Sequence, residues 1–161
     1  MSPIIPRLVG KDLINLHVNA QNQSELLASL SEYLLEKDYV LESFKEAIVS
    51  REKEYPTGLQ LENIAVAIPH TYAQHVKKPF IFINRLERPV SFIQMGTDDE
   101  LLDVHYVMVL GISQPEEQTS LLSELMALFS DQSFIQALES TKDQMAVYQL
   151  FADQKNQEDL K

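Results

Sequence analysis

Four histidines, His17, His70, His75 and His105, are the side chains of this 161-residue sequence best suited to nucleophilic, proton-transfer or metal chemistry near neutral pH. No cysteine is present, which removes thiolate metal sites, cysteine nucleophiles and disulfides together. His70 and His75 have no Asp or Glu beside them, and neither a His-Glu-x-x-His pattern nor a Cys/His framework occurs, so no metal site is expected. His70 stands out by position. It directly follows the apolar run Ile64-Ala65-Val66-Ala67-Ile68 and Pro69, which suits a strand buried on both faces. In an open α/β sheet the carboxyl end of such a strand is where ligands bind, and a neutral imidazole there is a nucleophile. The plainer alternative is a strand-exit turn with a solvated His70.

Arg51 is the second candidate. Helical spacing places it one turn beyond Val40, Phe44, Ala47 and Ile48, so the apolar stripe ends in a guanidinium just before the turn Pro56-Thr57-Gly58. A planar fork of N–H donors suits phosphate oxygens, and the Thr57 hydroxyl and Gly58 N–H add donors at low steric cost. Equally open is an Arg51 that complements the helix C-terminal dipole from the surface or pairs with neighbouring acids. The clusters Asp98-Asp99-Glu100 and Glu116-Glu117 fall in a turn and a helix first turn, where acids are favoured without any catalytic role. The four scattered glycines form no P-loop or dinucleotide fingerprint, and no Gly-x-Ser-x-Gly elbow occurs. No cofactor is implied.

These residues need a frame. A helix begins at Asn22, with Glu25 three residues on as a capping box and Leu26, Leu27, Leu30, Leu34 and Leu35 on one stripe. A second helix covers about 41–53, and strands are expected at 64–68, 80–86, about 90–93 and 104–110. After Pro115 a helix over about 116–130 carries Leu121, Leu122, Leu125, Met126 and Phe129, with Gln118 one turn ahead on the same face. Two short helices close the chain, the first around Phe134–Leu138 and the last capped by Thr141. Residues 1–15 show little periodicity and 152–161 are almost wholly polar, so both ends are expected to fray. Helices interleaved with strands argue for a single α/β domain, its central sheet mostly parallel or mixed, with helices on both faces.

Length and composition agree with one domain: 45% of residues are hydrophobic, enough for a substantial core. The formal charge of −11 opposes nucleic-acid binding and would steer a basic protein surface inward. No apolar run approaches the roughly 20 residues of a membrane span, and the start lacks a signal pattern, so the expected location is cytoplasmic.

The stretch Arg51-Glu52-Lys53-Glu54-Tyr55-Pro56-Thr57-Gly58, followed by Ile64-Ala65-Val66-Ala67-Ile68-Pro69-His70-Thr71, closely resembles the EIIA domains of the bacterial sugar phosphotransferase system, in the fructose/mannitol/galactitol class. The resemblance spans about residues 5–151 and takes in Pro89-Val90-Ser91-Phe92 and the passage from Leu110 to Phe129; on it the whole chain, 1–161, is one EIIA-like domain with a polar tail. It implies that His70 is the phosphoryl acceptor, that Arg51 contacts the phosphoryl oxygens, and that Thr57 with Gly58 shapes the pocket. It also implies HPr as donor, a cysteine of a cognate EIIB as acceptor, and EIIC as the membrane permease. Mannitol- and fructose-type members resemble one another in a second histidine where this chain has Gln118, which can donate a hydrogen bond but carries no charge. His105 is a candidate substitute for it. Gln118, Thr71 and Met95-Gly96 look more like the galactitol-type subgroup. Two roles are compatible with the resemblance: a transport EIIA, or a regulatory EIIA-like module whose phosphorylation state a partner senses. A non-catalytic α/β binding module is the third reading.

Overall fold

The computed structural model describes Pro3–Asp153. A short helix α1 (Ile5–Leu8) leads into strand β1 (Val9–Val18), followed by α2 (Gln23–Glu36) and α3 (Phe44–Glu54). Then come β2 (Gly58–Gln60), β3 (Ala65–Ala67), a 3-10 turn (Ala73–His75), β4 (Phe80–Ile93) and β5 (Leu101–Gly111). Helices α4 (Glu116–Leu128), α5 (Gln132–Ser140) and α6 (Gln144–Ala152) complete the described chain. The five strands form one mixed sheet in the order β1-β4-β5-β3-β2. β1 runs parallel to β4 and β3 to β5, whereas β4–β5 and β2–β3 are antiparallel.

Side chains alternate across the strands, so each central strand feeds two cores. Val66, Ile81, Ile83, Met108 and Leu110 point to one side, beneath α1, α4, α5 and α6. Ala67, Phe80, Phe82, Val107 and Val109 point to the other, beneath α2 and α3. The α/β expectation with helices on both faces therefore holds, and the sheet is the mixed variant. The capping of α2 by Asn22, whose side chain accepts from the Glu25 N–H at 2.8 Å, also holds.

Three local expectations are corrected. Residues 9–15, expected to fray, belong to β1, paired along β4. Register shifts between Val9 and Ile14 and again before Val18 put Val9, Ile14 and Leu16 on one face and Leu13 and Val18 on the other, which breaks the period-two signature. The strands expected at 80–86 and 90–93 are one strand, with an irregularity between Arg85 and Val90 that accommodates Pro89. Asp143, not Thr141, caps α6 by accepting from the Ala146 N–H, while the Thr141 hydroxyl donates back to the Ala137 carbonyl at the end of α5. Most of the tail expected to fray, 154–161, lies outside the described residues. No helix among those described is long and apolar enough to cross a membrane.

Gly111, at the carboxyl end of β5, lies directly under the ring of Phe80. A Cβ there would sit 2.1 Å from Phe80 Cε2, and that ring is fully buried against Tyr39 and Phe44. Gly111→Ala is therefore expected to lower stability by about 1–3 kcal/mol through overpacking. A drop in the urea midpoint at unchanged slope would show it, and a wild-type midpoint would mean that Phe80 has room to move.

Candidate functional site

β3 and β5 are parallel neighbours, so their carboxyl ends open on the same edge of the sheet. The Leu110 N–H donates to the Pro69 carbonyl at 2.9 Å, carrying the pairing two residues past β3 to the position before His70. There the chain leaves the sheet. The last turns of α3, the 70–73 segment and the loop into α4 converge on a depression of about 100 Å³ lined by Arg51, His70, Thr71, Tyr72, Pro115 and Gln118, among others. This is well below the roughly 300 Å³ at the small end of organic-ligand sites. The depression suits a small anion rather than a sugar. A larger groove of about 230 Å³ lies elsewhere, between α2 and α3, and its one cation, Lys45, is already paired with Glu32 at 2.9 Å.

His70 is 8% exposed. Its Nδ1 lies 2.8 Å from the Ile68 carbonyl oxygen, which can only accept, so Nδ1 carries the proton and Nε2 keeps a free lone pair. Burial lowers the pKa of His70 from its ordinary value; the Ile68 carbonyl opposes the shift, and the positive charge of Arg51 adds to it. At pH 7 the ring is thus a neutral, oriented nucleophile.

Arg51 is half-buried between two tyrosines. Its guanidinium carbon stands 4.0 Å from the centre of the Tyr55 ring and 4.8 Å from that of Tyr72, and Nη1 donates to the Tyr72 hydroxyl at 2.9 Å. The ion pairs found among the described residues, Arg7–Glu117, Lys45–Glu32 and Lys77–Asp38, leave Arg51 out. Its charge is not neutralised by a carboxylate and remains available beside His70.

The turn that ends α3 is held from within. Phe44, Ile48 and Glu52 form the buried face of the helix, so the apolar stripe runs into Glu52 and places Arg51 at its edge. The Glu52 carboxylate accepts the Thr57 N–H and the Thr57 hydroxyl, both at 2.7 Å. Burial raises the Glu52 pKa to about 7, against the opposing pull of these two donors. Gly58 packs against the backbone of β4, where a Cβ would stand 2.7 Å from the Ile93 carbonyl oxygen.

Of the residues singled out from the sequence, the structure brings together Arg51, His70 and Gln118. Thr57 and Gly58 sit one layer back: the Thr57 hydroxyl is committed to Glu52, and Gly58 lets the turn pack on β4. His105 is exposed on β5, five residues before Leu110, which puts it about 16 Å along the strand from the site. His17 is exposed on β1, and His75 Nδ1 lies 2.7 Å from the Ser43 hydroxyl. No cluster of three or more His, Asp or Glu side chains that could hold a metal ion occurs among the described residues. Sequence reasoning missed Tyr72, Tyr55 and the buried role of Glu52. Only Glu52 left a signal, as the next member of the i, i+4 series from Phe44 and Ile48.

Comparison with known proteins fits this geometry. Residues 7–154 match the family described as the phosphoenolpyruvate-dependent sugar phosphotransferase system, EIIA 2. The galactitol-specific EIIA component of Escherichia coli K12 is 33% identical over 117 residues, 73% of this chain and 77% of that protein. A fructose-like EIIA component of the same strain is 26% identical over 130 residues, 78% and 83% of the two chains. The crystal structure of the mannitol IIA from E. coli superposes with a TM-score of 0.71 at 25% identity, covering 89% of this chain and 98% of that one. The same protein in complex with phosphorylated IIB gives 0.72 at 24% identity, covering 91% and 100%. With the whole described sheet and helices α2 to α6 inside the matched region, this chain belongs to the EIIA 2 family and is a component of the phosphoryl relay of a sugar phosphotransferase system.

Proposed function

We propose that His70 accepts a phosphoryl group from phosphorylated HPr on Nε2 and passes it to a cysteine of a cognate EIIB, in a galactitol-type sugar uptake system whose EIIC permease moves the sugar. The observation that carries this reading is the Nδ1–H of His70 held by the Ile68 carbonyl, which leaves Nε2 facing chemistry beside an unpaired Arg51. In the transfer, the Nε2 lone pair attacks phosphorus in line as the donor P–N bond breaks. The electron pair of that bond stays on the donor imidazole, and the charge developing on the His70 ring is held by Ile68 through Nδ1–H. The three phosphoryl oxygens need positive charge and donors; Arg51 supplies a fork of both, and the Gln118 amide can donate one more hydrogen bond. No nucleotide or metal is needed for this exchange between two imidazoles. The E. coli mannitol IIA, which shares the fold, forms a complex with its phosphorylated IIB, which supports EIIB as the acceptor.

Intact-mass measurement after incubation with phosphoenolpyruvate, Enzyme I and HPr tests the reading. One acid-labile phosphoryl group that discharges rapidly to EIIB is expected. Stable phosphorylation without discharge would assign the chain to the regulatory role, and no uptake from competent donors would leave a binding module. Arg51→Ala is expected to slow uptake about 100- to 1000-fold, the usual cost of removing a charge-stabilising donor from a transfer site. Arg51→Lys should recover part of that rate, because it restores charge without the fork. An Arg51→Ala rate equal to wild type would remove the guanidinium from the mechanism.

A further inference from the structure

Thr71 lies between the proposed nucleophile and the tyrosine that anchors Arg51. It is 7% exposed and lines the same depression, yet its Oγ1 is sealed from solvent and makes no hydrogen bond among the described residues. The other such side-chain atom is Asn84 Oδ1, but the Asn84 amide group already donates to the Phe82 and Val107 carbonyls, each at 3.2 Å. The Thr71 hydroxyl has neither a donor nor an acceptor partner. A buried hydroxyl without partners is costly and uncommon, and calls for an explanation.

Its setting supplies one. A hydroxyl hydrogen rotates freely about the Cβ–Oγ1 bond and can turn to whatever acceptor arrives. The acceptor the depression is suited to receive is a tetrahedral oxyanion attached to the neighbouring ring. We infer that Thr71 Oγ1 donates a hydrogen bond to a phosphoryl oxygen on His70, a contact absent from the unmodified protein and made on phosphorylation. This rests on the reading of His70 as acceptor. Three consecutive residues then divide the work: His70 bonds phosphorus, Thr71 satisfies an oxygen, and Tyr72 holds the guanidinium that meets the others.

Thr71→Val removes the hydroxyl at nearly constant shape. Because the unmodified protein loses no hydrogen bond, its urea midpoint should equal or exceed that of wild type. The equilibrium between phospho-HPr and the phosphorylated chain should shift toward HPr by roughly 10- to 100-fold, the range for a hydrogen bond to a charged group. Thr71→Ser, which keeps the rotor, should stay within about 3-fold of wild type, the usual context scatter of a conserved hydrogen bond. A Thr71→Val equilibrium equal to that of a phosphorylated wild type would overturn the inference and leave the His70 reading standing. A wild type that takes up nothing would overturn both. If Thr71→Val does not fold, Thr71→Ala against Thr71→Ser decides: equal equilibria would exclude the hydroxyl, and a deficit confined to Ala would assign it.

Discussion

His70→Ala, given phosphoenolpyruvate, Enzyme I and HPr, is expected to gain no phosphoryl mass while remaining folded. The remaining histidines offer no substitute, since His105 is about 16 Å along β5, His17 is on the far edge strand, and His75 lies against Ser43. The substitution removes one hydrogen bond, Nδ1–H to the Ile68 carbonyl, whose net worth is about 1 kcal/mol. Phosphoryl uptake by His70→Ala at a wild-type level would reject the site. The pH profile of wild-type uptake gives an independent check. Burial, reinforced by Arg51, holds the His70 pKa below its ordinary value near 6.5, so the rate should be flat from about pH 8 down to 6.5 and fall only in more acid solution. The same depression makes neutral His70 stabilising above the unfolded pKa and withdraws that contribution as pH falls through the folded one. A rate that titrated above pH 7 would contradict a desolvated nucleophile.

The two faces of the sheet were legible because α2 and α4 carry apolar residues at helical spacing and the runs at 64–68, 80–86 and 104–110 are largely apolar, as strands covered on both faces are. β1 was not, since across its register shifts Val9 and Ile14, five residues apart, face the same core while Leu16 and Val18, two apart, face opposite cores, so its apolar positions keep no single period. His70 and Arg51 were candidates from the chain alone, one by its place after a buried strand and the other by an apolar stripe that in the structure runs on into Glu52 and leaves Arg51 at its edge. What held them was not legible. The bond from His70 to Ile68 is a backbone contact with no sequence signature, and Tyr72 meets Arg51 only after β2 and β3 have folded back between them. Thr57 shows the converse error. A hydroxyl beside a glycine in a turn suggested an anion ligand, yet the buried carboxylate one turn earlier had prior claim on it.

That carboxylate governs the second large effect. Glu52 has a folded pKa of about 7 against an ordinary value of 4.5, because burial disfavours its charge more than the two Thr57 donors favour it. Between these values the folded protein holds a proton that the unfolded chain has released. The stabilisation is therefore complete below about pH 4.5 and is lost as pH rises through 7, amounting to on the order of 3 kcal/mol. About 1 kcal/mol of it remains at pH 6.5, and the opposing His70 contribution changes only slightly above that pH, so urea midpoints taken from pH 6.5 to 8.5 should fall by roughly that much, with Glu52 as the principal cause. Glu52→Gln should flatten that slope: a neutral amide can accept the Thr57 N–H and donate to the Thr57 hydroxyl, keeping both contacts without a titration. Glu52→Ala leaves both Thr57 donors buried and unpartnered over a cavity, and should destabilise by about 3 kcal/mol at pH 6.5. The site should feel the same change, because this turn fixes the end of α3 from which Arg51 reaches His70. Uptake by Glu52→Gln should stay near wild type, and uptake by Glu52→Ala should fall even where the protein remains folded. Equal pH slopes for wild type and Glu52→Gln would mean that the carboxylate is already ionised in the folded protein, with the Thr57 donors outweighing its burial.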